Sequence, residues 1–379
     1  MNDMRSLSDR YIVIDSGIPF IKGVFEPFCN VLYSPASEFD SEIWWIKRHV
    51  PNARIALIIR TRTKCDAKLL RSSGVDFIAT ATIGTDHIDI EFCKQESIKV
   101  FNAAGCNSGG VMQYVFTSLA YASKNAIEHN LSNPSLKNDL LNKLYNTLFS
   151  EGKSRNRESS PTIGVIGVGN VGSKVVDIAK KIGWNVIAND PPKEHLHPEY
   201  SPLNELLAKS DIVTLHIPLD SSTHNFANEK FFSLIKPGAI FINTSRGEVV
   251  DEKALLESKN VSGYIIDVWK NEPNINLELM ENSLIATPHI AGYSKEGKEN
   301  GSQMVVRAVA EYLGIKELSN FTANPSPSYN YLNIDDNIGE QLLSFFDISD
   351  IDKKLRSTPK DFEALRNKFK LRSEYILSD

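Results

Sequence analysis

Thr162-Ile163-Gly164-Val165-Ile166-Gly167-Val168-Gly169-Asn170-Val171-Gly172 decides how the rest of the chain is read. The apolar, β-branched run at 163–166 reads as a buried strand, and it breaks into Gly167-x-Gly169-x-x-Gly172. Residues 173–182 then carry apolar side chains at helical spacing. In a strand–turn–helix of this kind each glycine has a physical task. Gly167 allows the tight turn, Gly169 lets backbone approach a pyrophosphate, and Gly172 lets helix and strand pack closely. The N-terminus of that helix offers free N–H groups and a positive dipole end to the phosphates. A second strand at 184–189 ends at Asp190, eighteen residues past Gly172. A carboxylate there hydrogen-bonds a ribose 2′-hydroxyl and repels a 2′-phosphate, so the expected cofactor is NAD.

A chain of 379 residues is long enough for two or three domains with separate cores. Its 41% hydrophobic and 23% charged residues are ordinary for a globular protein. A net charge of -5 and a pI near 6.0 argue against a nucleic-acid binder. The sequence holds no apolar run of membrane-spanning length, and residues 1–10 are too polar for a signal peptide, so a cytoplasmic protein is expected. Cys29, Cys65, Cys93 and Cys106 lack metal-ligand spacing and read as reduced thiols. His195-x-His197 has no third ligand nearby, and no metal is expected.

Short strands at 11–15, 31–33, 53–59, 77–80 and 100–102 alternate with helical stretches, which indicates an α/β layout with a mostly parallel sheet. Ligands bind beyond the carboxyl ends of such strands, so the loops after Ile59 and Ile78 are candidate site loops. Residues 105–110 read as a flexible hinge and 111–127 as a long helix. The polar stretch 128–161 is expected to be a surface insertion without chemistry, holding one amphipathic helix at 136–149. Further strands are expected at 212–216, 239–243, 261–268 and 284–286, and a long helix at 298–313. Composition shifts from Leu318, with a linker near 320–328, a helix at 359–370 and a small appended module.

Three polar residues follow strands of the nucleotide half. Arg246, in Asn243-Thr244-Ser245-Arg246-Gly247, can clamp a carboxylate and polarise an adjacent carbonyl. His289, in Thr287-Pro288-His289-Ile290-Ala291-Gly292, can take a hydroxyl proton. Glu272, before Pro273, can fix the tautomer of that histidine. Each alone reads as a solvated loop charge. Together, after a dinucleotide fingerprint, they answer the demands of hydride transfer from a hydroxy acid.

These motifs, with Asp267-Val268-Trp269, resemble the D-2-hydroxyacid dehydrogenase family, and the likeness covers nearly the whole chain outside 128–161. The resemblance implies two Rossmann-like doubly wound parallel-sheet domains, one a flavodoxin-like lid, with a small C-terminal α+β dimerisation domain. The lid would be 1–105 with 288–317, the NAD-binding domain 106–287, and the dimerisation domain 318–379. It implies catalytic roles for Arg246, Glu272 and His289. Gly167, Gly169, Asn170, Val171, Gly172, Asp190, Ile217, Thr244, Ser245, Arg246, Asp267 and Gly292 would line the NAD site. Thr61, Thr82 and Tyr293 would touch substrate. Arg60 and Lys64, beside Thr61, are candidates to neutralise a substrate phosphate. Thr80-Ala81-Thr82-Ile83-Gly84-Thr85-Asp86-His87, Ala104-Gly105-Cys106-Asn107, Asp190-Pro191-Pro192 and Tyr293 narrow the resemblance to a branch that oxidises 4-phospho-D-erythronate to its 2-oxo acid, in pyridoxal phosphate biosynthesis. The rival readings are a 3-phosphoglycerate-type dehydrogenase and an NAD-sensing binding protein. Ser16-Gly17 stands where that branch carries Glu-Asn, Ile217 where the family carries threonine, and Ser245 where cysteine is common.

Overall fold

A computed structural model describes residues 9–128, 138–150, 160–325 and 329–378. The chain divides into two compact units, Met1–Asn107 with Lys295–Pro327, and Ser108–Ser294 with Ser328–Asp379.

The first unit is built on five parallel strands, β1 (Arg10–Asp15), β2 (Asn30–Ser34), β3 (Arg54–Ile59), β4 (Val75–Thr80) and β5 (Lys99–Asn102). Their order β2-β1-β3-β4-β5 is the flavodoxin-like one. Alternate residues feed opposite faces. Ile12, Ile14 and Ile58 pack with Val305, Val306 and Val309 of the helix Lys295–Leu313, while Val13, Leu57 and Ile59 pack with Ile43 and Ile46 of the helix Phe39–His49. Burial on both faces explains why β3 reads as a continuous apolar run. Order reverses between β1 and β3, so the loops beginning at Ser16 and Arg60 flank the switch point.

The second unit has six parallel strands, β6 (Thr162–Ile166), β7 (Asn185–Asn189), β8 (Ile212–Leu215), β9 (Ala239–Asn243), β10 (Val261–Ile266) and β11 (Ile285–Ala286), in the order β11-β10-β9-β8-β6-β7. Here the reversal falls between β6 and β8. The glycine turn after β6 and His216-Ile217 after β8 therefore border the crevice where such sheets bind ligands.

The C-terminal residues form no third compact unit: the segment from Ser328 belongs with the nucleotide unit, and 318–327 with the first. Its small parallel sheet, β12 (Asn330–Leu332) with β13 (Tyr375–Leu377), and the helices Ile338–Phe345 and Ile348–Ser357 bury Leu332, Leu342, Phe346, Ile348 and Tyr375 in the core that also holds Tyr114, Val165 and Ile240. Residues 288–294 likewise stay with the nucleotide unit, because Ser294 donates to Glu374 and bridges Arg372.

The stretch 128–161 is no mere surface insertion. Its helix Asn138–Phe149 buries Leu141, Leu144 and Leu148 in the same core, while residues 129–137 and 151–159 lie outside those described. Residues 108–110 already belong to the helix Ser108–Glu128, and the boundary between the two units falls at Asn107/Ser108, within the stretch 105–110 expected to carry the chain from one domain to the next. Glu374 packs against Gly109 with the end of its side chain. Among the described residues no helix is long and apolar enough to cross a membrane, and Cys29, Cys65, Cys93 and Cys106 are buried and form no disulfide.

Candidate active site

The helix Asn170–Lys181 begins where the glycine turn ends. Gly167 has φ +86°, and a Cβ there would lie 2.6 Å from the carbonyl oxygen of His216, so only glycine fits. At Gly172 a Cβ would lie 2.0 Å from the oxygen of Gly167. Gly169 is the opposite case, with no atom within 4 Å of where its Cβ would be. Backbone that needs glycine on both sides, and open space between, is a cradle shaped for a pyrophosphate. Asp190, at the end of β7, accepts from the Val168 N–H at 2.8 Å, with the Lys193 ammonium 3.7 Å away. Its carboxylate is thus fixed against the glycine turn. Ile217 packs beside Gly167. These residues fit NAD.

The segment after β9 is held by three bonds. Asn243 Oδ1 accepts from Ser245 N at 3.0 Å, Asn243 Nδ2 donates to Arg246 O at 3.0 Å, and Ser245 Oγ donates to Leu215 O at 2.7 Å. Gly247 lets this loop meet the next one, since a Cβ there would be 2.0 Å from the Trp269 carbonyl carbon. The Arg246 guanidinium donates to Ser245 O at 2.7 Å. Thr244 Oγ1 is 3.4 Å from His216 Nδ1, and burial pushes that imidazole down to about 3, leaving it neutral.

Glu272 and His289 meet as expected. His289 Nδ1 donates to Glu272 Oε2 at 2.8 Å, which fixes the tautomer and leaves Nε2 facing away from Glu272. Glu272 Oε1 accepts from Trp269 N at 3.0 Å. Burial alone would raise the Glu272 carboxyl, but the charge and hydrogen bond of His289, the Trp269 N–H and Arg366 outweigh it and hold the group below its ordinary value. His289 itself has φ +55°, a left-handed conformation that a histidine rarely adopts. Asp267 holds it there. Its Oδ1 accepts from Thr287 Oγ1 and Ile290 N, both at 2.7 Å, and its Oδ2 from Ala291 N at 2.9 Å. Asp267, expected to line the cofactor site, has a buried carboxylate that organises the histidine loop running on to Gly292 and Tyr293.

In the first unit, Arg60, the candidate for the substrate phosphate, directly follows β3. Its guanidinium makes a two-point pair with the fully buried carboxylate of Asp15, Nε to Oδ2 at 3.0 Å and Nη2 to Oδ1 at 2.7 Å. It ties β1 to β3 at the switch point. Gly17 is the reason for the unusual Ser16-Gly17 pair, because a Cβ there would collide with that guanidinium. Lys64, by contrast, is exposed, 3.4 Å from Asp66. Thr61 is exposed, and Thr82 shares a 2.7 Å hydrogen bond with Thr80. His197 pairs with Glu199 at 3.1 Å.

Arg366 and Arg372, both from the C-terminal segment, are functional-site neighbours that sequence reading missed. Arg366 Nε donates to Tyr293 Oη at 3.0 Å, and Arg372 donates to the carbonyls of Ile290 at 3.2 Å and Tyr293 at 3.0 Å. Nothing in their spacing signals this, since both contacts span more than seventy residues.

Residues 143–291 match the family described as D-isomer specific 2-hydroxyacid dehydrogenase, NAD binding domain. The chain is 40% identical over 373 residues to an erythronate-4-phosphate dehydrogenase of Bacteroides thetaiotaomicron, covering 96% of this chain and 97% of that protein. It is 34% identical over 381 residues to the Coxiella burnetii enzyme of the same name, covering 96% and 93%. Among solved structures, D-lactate dehydrogenase from Aquifex aeolicus with NAD and lactic acid is 27% identical, with a TM-score of 0.56 over 83% of this chain and all of that one. NAD-bound 3-phosphoglycerate dehydrogenase of Entamoeba histolytica, at 23% identity, TM-score 0.59 and 84% and 100% coverage, shares the fold. The chain belongs to the D-2-hydroxyacid dehydrogenase family, among its erythronate-4-phosphate dehydrogenases, and is an NAD-dependent oxidoreductase.

Proposed function

We propose that this enzyme oxidises 4-phospho-D-erythronate to 2-oxo-3-hydroxy-4-phosphobutanoate, the reaction its relatives' name denotes, within pyridoxal phosphate biosynthesis. The observation that carries this reading is the 2.8 Å Glu272–His289 pair in a chain that matches those relatives from end to end. NAD, when bound, supplies the acceptor for the C2 hydride. Arg246 binds the substrate carboxylate and polarises the C2 oxygen. His289 Nε2 accepts the C2 hydroxyl proton as the carbonyl forms, and Glu272 stabilises the resulting imidazolium. Gly167, Gly169, Asn170, Val171 and Gly172 cradle the pyrophosphate, Asp190 holds the ribose, and Ile217, Thr244, Ser245 and Gly292 complete the cofactor's surroundings. Tyr293, Thr61 and Thr82 contact substrate, and Lys64 is the basic residue assigned to its phosphate. The working form is a cytoplasmic homodimer assembled through the C-terminal segment.

The test is turnover of 4-phospho-D-erythronate with NAD by the purified chain and by His289→Asn. The reading expects turnover that the variant loses while still binding NAD. An active His289→Asn with an unchanged pH–rate profile contradicts the role given to His289.

A further inference from the structure

The C-terminal segment reaches the acid–base pair through one side chain. Arg366, on the helix Phe362–Lys368, places Nη1 3.8 Å from Glu272 Oε2, the oxygen that accepts from His289. Its Nε donates to the Tyr293 hydroxyl at 3.0 Å, and its guanidinium carbon lies 6.0 Å from the centre of the Tyr293 ring. Only 17% of the Arg366 side chain and 19% of the Glu272 side chain are exposed, so the charges interact with little screening. Six residues on, Arg372 grips the same loop by its backbone, donating to Ile290, Ala291 and Tyr293 carbonyls. One segment thus holds the histidine loop through its main chain and through Tyr293, and also reaches Glu272, the partner of His289. A largely buried ion pair is by itself poor evidence of stabilisation, because desolvation offsets the attraction. That a guanidinium is nonetheless placed here points to the site.

We propose that Arg366 is a positioning residue for the reaction, fixing the Tyr293 hydroxyl for substrate and balancing the charge of the Glu272–His289 pair. This rests on the reading above of His289 as base and Tyr293 as substrate contact. The charged and titratable groups around the pair are Arg366, Tyr293 and, farther off, Asp267 behind His289 and Glu363, 3.7 Å from Arg366. Arg366 partly offsets the negative charge that Glu272 presents to the imidazole. Without it the full Glu272 charge faces the imidazole, and oxidation is expected to set in only at higher pH. An ammonium in its place keeps the charge and loses the planar fork that holds Tyr293.

The experiment compares Arg366→Gln, Arg366→Lys and Tyr293→Phe with the parent, reading the pH profile of kcat, KM for 4-phospho-D-erythronate, NAD affinity and Tm. Arg366→Gln is expected to move the rising limb of kcat upward by about 0.5–1 pH unit and to raise KM. Arg366→Lys should leave the limb in place and still raise KM. In the Tyr293→Phe background, Arg366→Lys should raise KM no further. A folded Arg366→Gln with unmoved limb and KM overturns the proposal. If that variant does not fold, the lysine and phenylalanine variants decide, and independent multiplication of their KM effects overturns it. A parent enzyme inactive on this substrate overturns the underlying reading instead.

Discussion

At Arg246 and Glu272 the chemistry rests on single side chains with different kinds of cost. Removing the guanidinium deletes the only group assigned to both the substrate carboxylate and the C2 oxygen, while the glycine turn is untouched. Arg246→Ala should lower kcat/KM by about 10³-fold or more with NAD affinity within a few-fold, as read by steady-state kinetics and NAD titration. Near-parental turnover would remove Arg246 from the mechanism. Glu272 also carries a pH signature. Its folded carboxyl lies below the ordinary 4.5, so the ionised form favours the folded state. That contribution is complete above 4.5 and is lost as pH falls through the lower folded value. Glu272→Gln should therefore melt a few degrees below the parent near neutrality, with the gap closing in acid. A gap that widens on acidification would contradict the environment described for Glu272.

Among the elements, the glycine turn was legible because its signal is local: strand, turn and helix lie within twenty residues, and each glycine answers a steric demand of its neighbours. Gly172→Ala tests this. The added Cβ would sit 2.0 Å from a backbone oxygen that cannot swing away, so NAD affinity should fall at least about tenfold and Tm by several degrees. Retained affinity measured by NAD titration would mean the turn relaxes. The strands of both sheets and the Glu272–His289 partnership were likewise readable from strand ends and motif residues. What was not readable depends on distant pairs. Arg60 lies next to Thr61 in sequence, but its carboxylate partner, Asp15, is forty-five residues away. Asp267 sits in a cofactor-like motif, yet its oxygens are consumed by the loop at 287–291, a use set by tertiary placement. The helix Asn138–Phe149 looked peripheral because its surroundings are polar, although Leu144 and Leu148 are fully buried.

For the whole molecule, the C-terminal segment is the main revision. A composition shift suggested an appendage, whereas its apolar residues complete the nucleotide unit's core. Leu332, Leu342, Ile348, Leu355 and Phe362 have no exposed surface, and each such side chain contributes about 1.5–3 kcal/mol by burial. Deleting 328–379 should therefore give no well-behaved smaller enzyme but an aggregation-prone chain without a cooperative melt, checked by light scattering and calorimetry. A soluble, cooperatively melting and active truncation would show that the segment is a separable module after all. The central claim concerns what the assembled site selects. It is tested most directly by initial rates with NAD on 4-phospho-D-erythronate, 3-phosphoglycerate and D-lactate, with and without an added 2-oxo acid. The account predicts selective turnover of the four-carbon phosphate. Preference for either of the other acids, or no turnover of any while NAD binds, would contradict it.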